Sequence, residues 1–303
     1  CTTPTCDTFA TFGGAALGAS LGLCGGGSTI TAARSGAFAI SPNPFLMRDG
    51  LRQDIIDVSA VIQALAPTAS TSNAMTTRLA GKGIAVDPTK VYIVGTSLGA
   101  ILSEMHLAVN PRISRGVLNV PGATIADIIT QSPSISPRVN ALISAAPPNG
   151  LGIPLGSPQF LLFLNVLKWV VDPGEPLNYA GHVLGDAAHP TLASPLTGNQ
   201  AQPAKNVFAQ YAVCDAVIPN AFNLELIGNV GLQSNAGPNA FTVYTVSGAG
   251  TPPNACTAPT PAPGNPGHGF LFDPTADAAT TAAGQADMAK YLTDLTVPTT
   301  DRP

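Results

Sequence analysis

The feature that most constrains this chain is the run Val91-Tyr92-Ile93-Val94-Gly95-Thr96-Ser97-Leu98-Gly99. Four consecutive apolar residues, β-branched types prominent among them, suit a short strand buried on both faces of a parallel sheet. The Gly-x-Ser-x-Gly that follows leads into a helix-like run through Val109. A strand that turns straight into a helix around a serine holds that hydroxyl in a strained corner, clear of the sheet, where the helix N-terminus favours developing negative charge. Side chains at 95 or 99 are expected to collide with neighbouring backbone, which accounts for glycine at both. The bland alternative is an ordinary glycine-rich strand–helix turn. The buried strand before the motif and the helix after it favour the chemical reading.

Around this corner the chain alternates strands and helices. A helix is predicted from about Leu51 to Leu65, where Leu51, Ile55, Ile56, Val58, Ile62 and Leu65 recur close to a 3.6-residue period. A second buried strand is Gly116 to Val120, a third Val207 to Val213, a fourth Phe241 to Val246, and a last helix spans about Ala276 to Leu295. This is the pattern of an α/β fold with a mostly parallel sheet flanked by helices. Residues 1–47 are poorly patterned, and the Pro/Gly/Thr-rich stretch 248–267 reads as a loop within the domain. The whole of 1–303 is read as one domain with a helical cap, or lid, inserted at about 122–204.

Serine is unreactive at its own pKa and needs a base oriented by a third group. Of His106, His182, His189 and His268, only His268 follows the last predicted strand and precedes the last helix, so it is the expected base, with His189 the runner-up. His106 lies on the helix that starts at Ser97 and is expected to be packed or solvent-facing. Asp215 ends the strand Val207 to Val213 and is the expected acid; Asp172 and Asp186 lack a preceding strand. A strand-end capping carboxylate is the structural alternative for Asp215. An oxyanion site needs two donors. One is expected to be the backbone N–H of Leu98. For the second, Gly25 or Gly26 of the run Cys24-Gly25-Gly26-Gly27 is the candidate, although no convincing strand precedes it. The other reading open is that the N-terminal strands and their loop lie outside this chain.

The apolar helical stretch Pro158 to Val171 lies in the cap. A helix apolar nearly all round is either buried or lies over an apolar pocket, so Phe160, Phe163, Leu167 and Trp169 are candidates for lining a pocket for acyl chains; a plain core helix is the other reading. The same stretch, interrupted by Asn165 and Lys168, is shorter than the roughly 20 residues of a membrane-spanning helix.

Composition narrows the partners. The chain has 303 residues and a net charge of −4, with 45% apolar and only 10% charged residues. No basic run is present, which argues against nucleic acid and anionic membranes. The five cysteines, Cys1, Cys6, Cys24, Cys214 and Cys256, show no metal-type spacing. No metal and no organic cofactor is expected. A charge-poor, Thr/Ala/Pro-rich chain suits the cell exterior or envelope, where disulfides persist; lipid anchoring through Cys1 stays open. Cys214 adjoins the acid and Cys256 lies in the loop that carries the base, so a Cys214–Cys256 disulfide is expected.

The run Arg48-Asp49-Gly50-Leu51-Arg52-Gln53, the corner 95–99, the segment Gly116-Val117-Leu118-Asn119-Val120-Pro121-Gly122 and the segment 172–180 together resemble secreted bacterial lipases and carboxylesterases of the α/β-hydrolase type. Metagenome-derived esterases that also hydrolyse polyesters such as polylactide are similar. The resemblance spans about 24–295. It implies an α/β-hydrolase fold, the set Ser97, Asp215 and His268, and hydrolysis of small-molecule or polymeric apolar esters through an acyl-enzyme. A non-catalytic, lipid-binding surface protein of the same fold is the alternative; the complete Ser/Asp/His set in that order argues against it.

Overall fold

The computed structural model describes residues 43–66, 73–195, 198–247, 266–275 and 277–302. In chain order the elements are α1 (Pro44–Leu65), α2 (Ala74–Ala80), β1 (Val91–Thr96), α3 (Leu98–Val109), β2 (Ile113–Asn119), α4 (Ile125–Gln131), α5 (Ser136–Ser144) and α6 (Pro158–Val171). A 3₁₀ turn at Asp172–Gly174 then leads to α7 (Leu177–Leu184), β3 (Ala193–Ser194), β4 (Gln200–Ala201), β5 (Asn206–Ala212) and α8 (Asn220–Val230). The chain closes with β6 (Gln233–Ser234), β7 (Ala240–Tyr244), the single turn α9 (Pro266–Gly269) and α10 (Ala278–Asp294). Backbone contacts divide these into two compact units, one of 43–52 with 125–175 and one of 53–124 with 176–302.

The second unit holds the sheet. Its strand order is β1-β2-β5-β7-β6, and every pairing is parallel. This is a mostly parallel α/β sheet flanked by helices, as the alternating pattern predicts. Parallel pairing puts every strand's carboxyl end at one edge of the sheet, the edge where Ser97 follows β1 and Asp215 follows β5. On one face Leu107 and Ala108 of α3 pack with Leu118, Val207, Ala209 and residues of α7 and α8. On the other, Val117 and Phe208 meet Tyr291 of α10. Gly116 is required by the first packing: a Cβ there would lie 2.5 Å from Leu107 Cδ1.

The prediction that β1 is buried on both faces is not met. Val91, Tyr92 and Ile93 are half-buried and Val94 is 40% exposed. Among the described residues β1 pairs only with β2, so its apolar run lacks the second neighbour that a central strand has, although Val91 and Ile93 pack against the core on one face. The short β3–β4 hairpin and the two-residue β6 were not predicted, because strands this short carry no periodicity.

In the first unit, Met47 and Leu51 are buried, and Gly174 lies so near that a Cβ would come within 3.3 Å of the Arg48 carbonyl and 3.4 Å of Leu51. Lys168 Nζ pairs with Asp127 at 2.6 Å, and the Ile125 N–H donates to Glu175 at 2.9 Å. Helix α6 has the predicted bounds, its N-terminus capped by the Ser157 hydroxyl. It is amphipathic in its exposure rather than uniformly covered: Leu167, Val170 and Val171 are buried, whereas Leu161, Leu162, Val166 and Trp169 are exposed. Among the described residues no helix is long and apolar enough to cross a membrane.

Candidate active site

Ser97 sits between β1 and α3 with φ 56° and ψ −125°. Positive φ is rare for a residue with a side chain and signals stored strain. The corner is tied down by its own backbone: the Ser97 N–H donates to the Asn119 carbonyl at 3.0 Å, and the Ser97 carbonyl accepts from Ala100 and Ile101. Gly95 is required by sterics, since a Cβ there would lie 2.1 Å from the Gly99 carbonyl oxygen and 2.4 Å from Ser103 Oγ. Gly99 is a correction. A Cβ at Gly99 meets nothing within 4 Å among the described residues, and its φ is not in the left-handed region. The collision expected at both glycines exists at one. Helix α3 carries its residue 99 outward, while the strand carries residue 95 against the first turn.

Leu98 is the first residue of α3. The N–H groups of a first turn have no acceptor within their helix, so Leu98 presents a donor beside Ser97. Gly25 and Gly26, the candidates for the second donor, lie outside the described residues.

Asp215 and His268 are brought together. His268 Nδ1 lies 2.7 Å from Asp215 Oδ2, and the Asp215 side chain is fully buried while that of His268 is 17% exposed. A carboxylate accepts only, so Nδ1 carries the proton and Nε2 is the basic nitrogen. Asp215 is itself held: its Oδ1 accepts from the N–H groups of Val217 at 2.7 Å and Ile218 at 3.0 Å. Two residues that sequence reasoning missed shape this turn. Asn220 accepts from the Cys214 N–H at 2.9 Å and donates to the Ala212 carbonyl at 2.8 Å, holding Cys214 at φ 62°. Gly267 packs on the end of β5: a Cβ there would lie 3.3 Å from the Val213 carbonyl. The pair Pro219-Asn220 before a helix was the available signal for the first. Gly267 had none beyond being a glycine beside the histidine.

The remaining histidines are elsewhere. His106 is buried on α3, its Nε2 3.1 Å from Asp54 Oδ2. Burial holds the His106 imidazole below its ordinary pKa, with Asp54 opposing. His182 Nδ1 meets the Pro190 carbonyl at 2.6 Å, and His189 stands against Asp186 at 3.5 Å. Of the proposed acyl-pocket residues, all on α6, Phe160 and Phe163 are half-buried, Leu167 is buried and Trp169 is 78% exposed. Cys214 is disulfide-bonded; its expected partner Cys256 lies outside the described residues. Among the described residues no cluster of His, Cys, Asp and Glu has the make-up of a metal site.

No protein-family model matches the sequence, and no curated protein does. Solved structures similar to it include acetyl xylan esterase 1 from a Thermoanaerobacterium species, at 14% identity and a TM-score of 0.37, over 66% of this chain and 44% of that one. An esterase from Pyrococcus furiosus is similar at 14% identity and a TM-score of 0.33, over 64% of this chain and 51% of that one. An acylaminoacyl peptidase from Pyrococcus horikoshii is similar at 14% identity and a TM-score of 0.32, over 57% and 21%. The chain thus spans about half or less of the length of each of these three structures.

Proposed function

We propose that this chain is a serine hydrolase of the α/β-hydrolase type that cleaves apolar carboxylic esters. Ser97 is the nucleophile, His268 its base and Asp215 the group that orients the imidazole. The observation that carries the reading is the His268–Asp215 hydrogen bond of 2.7 Å to a fully buried carboxylate. It lies at the sheet edge where the strained Ser97 corner also sits, because β1 and β5 are parallel and separated only by β2.

In this reading Ser97 Oγ attacks the ester carbonyl and His268 Nε2 takes its proton. The Leu98 N–H steadies the oxyanion. The tetrahedral intermediate collapses as His268 protonates the leaving alcohol, and water activated by His268 then releases the acid. Asp215 holds the imidazole through Nδ1 and stabilises the imidazolium. Apolar acyl esters, aliphatic polyesters included, are the proposed substrates. A secreted or envelope location goes with that substrate class.

The test is colour release from p-nitrophenyl esters of two to about twelve carbons by the wild type and Ser97→Ala. Turnover in the wild type and a loss of about 10⁴-fold or more in the variant are expected at every chain length. Equal rates in the two proteins would overturn the assignment.

A further inference from the structure

The loop carrying His268 is fixed at two points. Gly267, before the histidine, packs on the end of β5. The second point lies after it, at Phe270, and involves groups the chemistry above does not use. Phe270 is buried and stacks on Tyr244, the last residue of β7, with ring centroids 4.8 Å apart. It also lies against α10 at Gly284, where a Cβ would come within 2.9 Å of Phe270 Cε2. The backbone beyond His268 is also bonded to α10: the Phe270 carbonyl accepts from Thr281 Oγ1 at 2.6 Å and the Leu271 carbonyl from Gln285 Nε2 at 2.9 Å.

Tyr244 in turn cannot shift freely. Its hydroxyl accepts from Gln210 Nε2 at 2.8 Å and donates to Asp287 Oδ2 at 2.8 Å. Asp287 is gripped by Arg302 through Nε at 2.9 Å and Nη2 at 2.5 Å. Arg302 is bonded by its backbone alongside Tyr244: its N–H donates to the Val243 carbonyl at 2.9 Å, and its carbonyl accepts from the Thr245 N–H at 2.8 Å. Burial, and then the Asp287 carboxylate, hold the phenol above its ordinary pKa, so it remains a donor.

We propose that Tyr244 is a positioning residue for His268, acting through the face of Phe270 and held in register by Gln210, Asp287 and Arg302. The proposal rests on the Ser97–His268–Asp215 reading for its effect on turnover. Its structural claim stands apart from activity: without the Tyr244 ring, His268 no longer keeps its bond to Asp215.

Two readouts separate these. One is the low-field proton resonance of the His268 Nδ1–H, assigned by its loss in His268→Gln. The other is kcat and KM for p-nitrophenyl acetate, with folding checked by circular dichroism. Tyr244→Leu is expected to lose or broaden the resonance and to lower kcat about 10- to 100-fold with KM within about twofold, as a small displacement of a reacting group does. Tyr244→Phe, which keeps the stacked ring, is expected to retain the resonance and lose no more than about threefold in kcat. If Tyr244→Leu does not fold, Arg302→Gln takes its place, with a broadened resonance and a loss of about three- to tenfold. A folded Tyr244→Leu, or Arg302→Gln in its place, with a sharp resonance overturns the proposal. So does an unchanged kcat in a wild type that is active. A wild type without esterase activity that still loses the resonance in Tyr244→Leu overturns the hydrolase reading and leaves the positioning claim supported.

Discussion

At Ser97 the backbone holds a side-chain-bearing residue at φ 56°, and the glycines on either side have different tasks. Gly95 gives the room: its missing Cβ is what lets the first turn of α3 lie over the strand end. Gly95→Ala drives a methyl into backbone atoms that cannot swing aside, and it is expected to destabilise by at least about 3 kcal/mol or prevent folding. Gly99→Ala meets no such obstacle, and alanine at a helical position is expected to stabilise by about 0.5–1 kcal/mol. Urea unfolding of the two variants beside the wild type checks both signs; equal losses would mean that residue 99 is also crowded. At this scale Ser97, Asp215 and His268 were named from their neighbours in the chain, and the structure brings the last two into contact. The difference between the two glycines was not legible there, because it depends on which way each Cα–Cβ vector points once strand and helix meet.

Helix α3 shows how one element is finished by distant ones. Its final carbonyls have no intrahelical partner. Asn110 donates its N–H back to the His106 carbonyl, Gln202 Nε2 donates to the Ala108 carbonyl at 3.0 Å and Lys205 Nζ to the Asn110 carbonyl at 3.0 Å. A cation at a helix C-terminus complements the dipole, yet Lys205 is buried, and burial lowers its pKa to about 8. The unfolded chain holds this proton up to about pH 10.5, the folded chain only to about 8. Between those values the unfolded state binds more protons, so stability rises with pH there, and below pH 8 the full cost of charging Lys205 is carried. Relative to Lys205→Met, the wild type is expected to gain on the order of 2–3 kcal/mol between pH 8 and 10.5. Thermal unfolding of both proteins across that window measures it; parallel curves would place the ammonium in water. Neither Gln202 nor Lys205 stood out in the sequence, where both lie in a short polar stretch around Pro203.

For the whole molecule, the parallel order β1-β2-β5-β7-β6 brings the strand ends beside Ser97 and Asp215 to one sheet edge, and Cys214 ties the Asp215 turn to a second cysteine. The Cys214–Cys256 pairing remains our proposal. It closes a loop of about 40 residues, for which about 2–4 kcal/mol of stabilisation is expected. Non-reducing peptide mapping is expected to find Cys214 linked to Cys256, and Cys214→Ser to lower the unfolding free energy by that amount. A link from Cys214 to Cys1, Cys6 or Cys24 would redirect the proposal to the N-terminal segment.

By themselves the residues determined what depends on near neighbours in the chain: the strand-to-helix corner at 95–99, the bounds of α6, the α/β alternation and the order of the serine, the aspartate and the histidine. Periodicity and glycine placement act over a few residues, so they can be read directly. Tertiary structure alone decided the rest. It set β1 with a single neighbour among the described residues and an exposed Val94, turned Trp169 outward on a helix whose composition is apolar nearly throughout, and placed His268 against an aspartate 53 residues earlier in the chain. It also placed Tyr244 under Phe270. These depend on which strands become adjacent and on what covers each face. Both are properties of the packed sheet, formed by contacts between segments that share no local pattern.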